Sequence, residues 1–111
     1  MDRPLKEEFL AQARIIVEEY LSDTSFSPQI LAQKLGISYS VLHRRLTVYE
    51  ELSPSLFIRA IRLQYAEDML LSTDNTIAEI AYEVGFNDPK YFSRVFGEAY
   101  GMSPSKFRRI K

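Results

Sequence analysis

The same pattern of residues occurs twice in this chain, and that repeat constrains the fold more than any other feature. Gly36 matches Gly85 and Ser38 matches Asn87 at a spacing of 49. After one inserted residue the spacing becomes 50, and Leu42 matches Phe92, Arg44 matches Arg94, and Leu46 matches Phe96. Ser53-Pro54-Ser55 matches Ser103-Pro104-Ser105, Phe57 matches Phe107, and Arg59 matches Arg109. Self-similarity at a fixed period is the mark of one supersecondary unit used more than once. The apolar matches require only that both copies pack alike. The repeated outward arginine is not required by packing.

The second copy, Thr76 to Ile110, reads as a helix, a tight turn, a second helix and a short closing helix. Ile77, Ile80, Ala81 and Val84 recur at helical spacing and line one buried stripe. Gly85 follows, where a helix end wants a residue free to take positive φ. Asn87 and Asp88 can each cap the next helix, and Pro89 fits its first turn. That helix buries Phe92, Val95, Phe96 and Tyr100 and leaves Lys90, Ser93, Arg94 and Gly97 on another face. A helix-turn-helix that aims a polar face outward suits the DNA major groove. A helical hairpin with an ordinary glycine cap and a solvated face also fits this stretch taken alone.

The first copy is SPQILAQKLGISYSVLHRRL. Ser27 can cap, Pro28 takes a first helical position, and Ile30, Leu31 and Leu35 give the apolar stripe. Gly36 ends the helix and Ser38 can cap the next, where Leu42, Leu46 and Tyr49 point inward. Tyr39, Ser40, His43, Arg44 and Thr47 point elsewhere. A helix from about Leu5 to Leu21 precedes this copy, its stripe being Phe9, Ala13, Ile16 and Tyr20. Between the copies a long helix, about Ser55 to Leu71, carries two apolar sets. Phe57 and Ile61 form one, and Leu63, Ala66 and Leu70 the other; a helix apolar on two sides is sandwiched between packed units. The expected organisation is residues 1–54 (N-terminal helix and first helix-turn-helix), 55–72 (linker helix) and 73–111 (second helix-turn-helix).

Composition excludes several chemistries. With no cysteine, thiolate metal sites, disulfides and cysteine nucleophiles are absent, and one histidine rules out a multi-histidine metal site. No carboxylate sits beside a recognisable nucleophile or Gly-rich phosphate loop, so neither an enzyme nor a cofactor is expected. No apolar run approaches the roughly 18 residues of a membrane span and no signal peptide opens the chain, which makes the cytosol the default compartment. The net charge of −1 and pI near 5.8 weigh against strong nucleic-acid affinity. The charge is uneven, however: −3 up to Phe26 and +2 from Ser27 on.

The stretches IRLQYAEDMLL and IAEIAYEVGFNDPKYFSRVFGEAYGMSPSKFRR resemble the DNA-binding domain of the AraC/XylS family of bacterial transcription regulators. The carriers are the Arg-Leu opening the linker helix, Ile-Ala before Val-Gly-Phe, Tyr-Phe-Ser-Arg and Gly-Met-Ser-Pro. The resemblance covers about Phe26 to Arg109 and implies an all-α, homeodomain-like fold of about seven helices. It further implies two helix-turn-helix subdomains on a long linker helix, each recognition helix entering one of two successive major-groove segments of double-stranded DNA. Ser40, His43 and Arg44, and then Lys90, Ser93 and Arg94, fall where family members contact bases. Tyr39 and Thr47 are flanking contacts, and Ser38 and Asn87 cap helices whose free N–H groups can hold phosphate.

Blander readings accompany these assignments. Arg44 and Arg94 can pair with acids such as Glu98, His43 can be plain solvated surface, and Lys90 can touch phosphate only. Phe92, Phe96, Tyr100 and Phe107 read as core and not as a stacking platform. Glu51 stands where the second copy has Gly101 and the family has glycine, so the turn before Ser53 is expected to be built differently. Glu50 and Glu51 add negative charge near the first unit. The stretch DTSFSPQILAQKLGISYSVLHRRL also resembles output domains of hybrid two-component and other sensor-linked regulators. That likeness implies an N-terminal sensor or receiver region outside this chain, with RNA polymerase as a partner. The methyl-accepting cysteine that some DNA-repair proteins carry on this fold has no counterpart here. A protein-interaction module on the same scaffold, with weak or no DNA binding, is the competing reading.

Overall fold

Proline and the residue before it set where most of the helices begin. In the computed structural model, which describes residues 2–111, the described residues form seven helices and no strand. They are α1 (Asp2–Glu19), α2 (Pro28–Leu35), α3 (Tyr39–Glu50), α4 (Pro54–Ser72), α5 (Ile77–Glu83), α6 (Pro89–Tyr100) and α7 (Pro104–Ile110). Helices α2, α4, α6 and α7 all start on proline, whose missing N–H would have no helical partner there anyway. The preceding Ser27, Asp88 and Ser103 are extended, as a residue before proline must be. Their side chains, with that of Ser53, accept N–H bonds at 3.0–3.3 Å from the first turn that follows. Helix α5 starts on a reciprocal pair instead: Thr76 Oγ1 accepts from Glu79 N, and Glu79 Oε1 accepts from Thr76 N.

The repeat is visible in the backbone hydrogen bonds. After α2, Gly36 N donates to Gln33 O and Ile37 N to Ala32 O, both at 3.1 Å. After α5, Gly85 N donates to Tyr82 O and Phe86 N to Ala81 O, at 3.1 and 2.9 Å. The register changes in the next residues. Ser38 caps α3, accepting from Val41 N at 3.2 Å, but Asn87 does not cap α6; Asp88 does, accepting from Lys90 N at 3.0 Å. The caps therefore correct the sequence match: Asp88 is the counterpart of Ser38, and the extra residue of the second copy is Asn87, not one that follows it. Pro89 takes the first helical position, so the extended residue before it becomes the cap.

The turn before Ser53 corrects the sequence expectation. Glu51 takes the same left-handed conformation (φ 56) as Gly101 (φ 76). Its N–H bonds Thr47 O at 3.0 Å, as that of Gly101 bonds Gly97 O at 2.8 Å. Both turns are built alike, and the first carries a side chain in a region that disfavours one.

Two compact units result: residues up to Tyr20 with Phe26–Ile61, and Leu21–Ser25 with Arg62–Lys111. In the first, Leu31, Leu42 and Leu46 are fully buried. Helix α1 contributes Ala13 and Val17, while Phe9, Ile16 and Tyr20 are only half-buried, so the predicted stripe missed its centre at Val17. Phe9 meets the Tyr49 ring edge-on at 6.0 Å, and Tyr20 stacks on Phe26 at 5.3 Å. The two apolar sets of α4 are both buried, Phe57 and Ile61 within the first unit and Leu63, Ala66 and Leu70 within the second.

The second unit packs Leu63, Ala66 and Leu70 with Ile80, Ala81, Val84, Phe86, Phe92, Val95, Phe96 and Phe107. Gly85 is required there twice over. Its φ is 99°, and a Cβ would collide with the Leu21 carbonyl and lie 2.6 Å from Arg62 Nε. The Arg62 guanidinium donates to Asp23 O at 3.1 Å, while its buried Nε has no partner among the described residues. Arg108, which the sequence reading passed over, donates to three carbonyls where α4 ends: Leu70 at 3.0, Thr73 at 3.1 and Asn75 at 2.6 Å. A cation there offsets the unpaired C=O groups and the negative end of the helix dipole.

Two outcomes follow from this geometry. Glu51→Gly should stabilise the chain by about 0.5–1 kcal/mol, the relief of a left-handed L-residue less the extra freedom of unfolded glycine; a raised urea midpoint checks it. The second concerns Tyr100, whose hydroxyl donates to Glu67 Oε1 at 3.0 Å. Burial first, then the Glu67 carboxylate, push its phenol from 10.0 up to about 12. A phenol raised by folding stabilises fully below the unfolded value and loses that contribution as pH climbs through the folded one. Stability should therefore fall between pH 10.0 and about 12, and Tyr100→Phe should lack that part of the fall when urea midpoints are compared.

Candidate nucleic-acid interface

Helix α3 buries Leu42 and Leu46 completely, which turns Ser40, His43, Arg44 and Thr47 outward. Spaced i, i+3, i+4 and i+7, these four form one exposed stripe. Tyr39 stands beside its start, 40% exposed, with its ring 6.1 Å from that of His43. Arg45 leaves this face: it is half-buried, with its guanidinium 5.1 Å from the Phe9 ring. Among the described residues Arg44 has no ion-pair partner, and its helical neighbours one turn away are Ser40, Val41, Thr47 and Val48.

Helix α6 presents the same stripe fifty positions on. Phe92, Val95 and Phe96 are buried, so Lys90, Ser93, Arg94 and Gly97 share the other face. Lys90 and Arg94 are exposed, whereas Ser93 and Gly97 are half-buried. The pairing considered for Arg94 exists: its Nη1 lies 3.2 Å from Glu98 Oε2. Side-chain exposures of 63% and 57% make this a surface pair, which adds little to stability and leaves the guanidinium accessible. The Arg94 guanidinium also lies over the Tyr91 ring, 5.1 Å from its centroid. Sequence reasoning passed over Tyr91. The available signal was its position one turn before a repeated arginine, where the first copy has Val41.

The ends of the two helices differ chemically. Ser38, a neutral cap, is exposed at the start of α3. At the start of α6 the Asp88 carboxylate occupies the Lys90 amide and adds negative charge, while Asn87 is exposed just before it. A phosphate is therefore better received at the start of α3 than of α6. Each stripe combines at least one hydroxyl and an exposed arginine with a further nitrogen-bearing side chain, His43 on α3 and Lys90 on α6. This can form bidentate hydrogen bonds with the edges of base pairs. Among the described residues no helix is long and apolar enough to cross a membrane.

Known proteins are similar to this chain in sequence and geometry. Residues 31–110 match the family described as the helix-turn-helix domain. Histidine kinase P4 of Formosa agariphila is 33% identical over 104 residues, which is 94% of this chain and 8% of that protein. The HTH-type transcriptional activator RhaS of Salmonella arizonae is 32% identical over 81 residues, 73% of this chain and 29% of that one. The chain thus spans less than a third of either relative. The C-terminal domain of AraT, a response regulator from Geobacillus stearothermophilus, superposes with a TM-score of 0.84 at 31% identity, covering 92% of this chain and 84% of that domain. The DNA-binding domain of the global transcriptional factor AdpA, solved with a target DNA, gives 0.82 at 25% identity over 90% and 89%. With its doubled helix-turn-helix and a family match across most of its length, this chain belongs to the AraC-type helix-turn-helix domain family.

Proposed function

We propose that this chain is the sequence-specific, double-stranded-DNA-binding part of a transcription regulator, with α3 and α6 as its recognition helices. The observation that carries the reading is the repeated stripe. Two helices, built by the same turn hydrogen bonds, expose an arginine at the same position, where packing has no use for one. RhaS is named a transcriptional activator, and the AdpA domain was solved on DNA, which supports carrying the reading over. Ser40, His43 and Arg44 read one major-groove segment, and Lys90, Ser93 and Arg94 read the next. Ser38, Tyr39, Thr47 and Asn87 flank them. Residues 1–54 and 73–111 act as the two reading subdomains, with 55–72 as their linker. The chain works as the output end of a longer cytoplasmic regulator whose sensor or receiver region lies N-terminal to it, and it acts on RNA polymerase without catalysing a reaction.

A protein-interaction role draws its support from the charge: the net is −1, and Asp88 and Glu98 put carboxylates on α6 itself. Salt separates the two readings. DNA binding through phosphates should make log K fall by about 0.9 per phosphate for each tenfold rise in salt, and a flat response would favour protein interaction.

The decisive experiment is selection of duplexes from a random pool. Two enriched blocks about one helical turn apart are expected. Arg44→Ala and Arg94→Ala should each relax one block by about 1–3 kcal/mol with helicity unchanged. Variants that select as the parent does would sink the assignment.

A further inference from the structure

We infer that Tyr91 and Glu98 are positioning residues that hold Arg94 ready to read a base, so that the second recognition helix discriminates more stringently than the first. The inference rests on the reading of α6 as a base-contacting helix and adds to it which side chains set its specificity.

The geometry is a chain of contacts from the core to the guanidinium. Phe86 is buried and packs on fully buried Phe92, with ring centroids 5.2 Å apart. The Tyr91 ring stands 6.1 Å from Phe86, anchored on one side and 39% exposed on the other. Arg94, one turn later, lays its guanidinium over that ring at 5.1 Å, and Glu98, a turn further, takes Nη1 at 3.2 Å. A planar cation lying over a ring and bonded at one corner has fewer orientations open to it than a free one.

The first copy lacks every part of this device. At the matching positions Ile37 replaces Phe86, Val41 replaces Tyr91 and Val48 replaces Glu98. No ring and no carboxylate lies one helical turn from Arg44, and Val48 is 70% exposed. Two arginines at one repeat position are therefore presented differently, one braced and one with no ion-pair partner among the described residues. Ordering a long side chain on binding costs affinity, and a braced chain has met part of that cost beforehand. Glu98 also acts against wrong sequences. Where a base pair offers no acceptor, Arg94 keeps its carboxylate partner, so mismatched DNA gains little from it. The same carboxylate repels phosphate and lowers binding to DNA of any sequence.

These effects give a signature that a purely structural role would not produce. Tyr91→Val and Glu98→Val install the residues of the first copy. Each should reduce discrimination at the base pair read by Arg94 by roughly threefold to tenfold, leaving the block read by Arg44 untouched. Glu98→Val should at the same time bind an unrelated duplex more tightly. Tyr91→Phe keeps the ring and should keep the discrimination of the parent. Val48→Glu, alone or with Val41→Tyr, should raise discrimination in the block read by Arg44.

The measurement is competition of the parent's selected duplex against single-position variants and an unrelated duplex, with circular dichroism confirming helicity for each protein. Parent-like discrimination in Tyr91→Val and Glu98→Val, with Arg94→Ala still relaxing its own position, would overturn the brace and leave the base-reading role standing. If Arg94→Ala relaxed no position, the base-reading role of α6 would fail and the brace with it.

Discussion

The close approach at Gly85 is the constraint on which the second unit depends. The backbone there runs against the Leu21 carbonyl and the Arg62 side chain and adopts φ 99°, and only a residue without Cβ meets both demands. Because the chain turns at that point, the Phe86 and Gly85 amides can reach back to Ala81 and Tyr82, and Phe86 itself goes into the core. Phe86 then fixes the entry to α6 by packing on Phe92 and standing beside Tyr91. A series of ring contacts thus connects the turn at Gly85 to the Arg94 guanidinium nine residues later. A side chain on a surface helix inherits its precision from the buried turn before it.

The first unit uses the same backbone scheme under looser conditions. Gly36 has φ 73° but no atom within reach of an added Cβ, so its glycine serves conformation alone. At the other end of α3 the scheme tolerates Glu51 in a left-handed conformation where the second unit keeps Gly101. The geometry of the turn has been retained while the residue best suited to it has not. Strain of this kind persists where surrounding bonds over-determine the backbone, and here the Glu51 amide is held by Thr47 O.

The parts of this architecture that were legible in the sequence are those governed by local rules. Ser-Pro starts, glycine ends and the spacing of Leu42 with Leu46 or Phe92 with Phe96 each depend on a few neighbouring residues. The repeat let each copy check the other. The misses have specific causes. Asn87 matched Ser38 by position, yet one inserted residue passed the capping role to Asp88, and only the extended backbone before Pro89 decides between them. Glu51 was expected to change its turn because propensity argues against αL, but the hydrogen bond to Thr47 prevailed. Val17 and Arg108 depend on packing and on carbonyls more than thirty residues away, which no short window contains. The candidate base-reading residues are exposed or half-buried on the faces assigned to them; Tyr91 has no counterpart in the first copy, where Val41 stands, so the repeat did not single it out.

Charge shapes what such a domain can use to find its site. A chain of net charge −1 attracts phosphate weakly, and the carboxylates of Asp88 and Glu98 weaken that attraction further along α6. For the proposed DNA-binding role this implies low sequence-independent affinity on this helix and a low competing background of wrong sites. Selectivity depends on the ratio of right to wrong binding, so lowering the denominator serves as well as raising the numerator. In the proposed reading of α6, an acid beside a reading arginine costs affinity everywhere, and on a correct base pair a bidentate contact would offset that loss. On α3 the carboxylates, Glu50 and Glu51, stand at the far end of the helix, and no acid lies one helical turn from Arg44. The two copies of one motif thus differ in where they place acids relative to the repeated arginine: beside it on α6, away from it on α3.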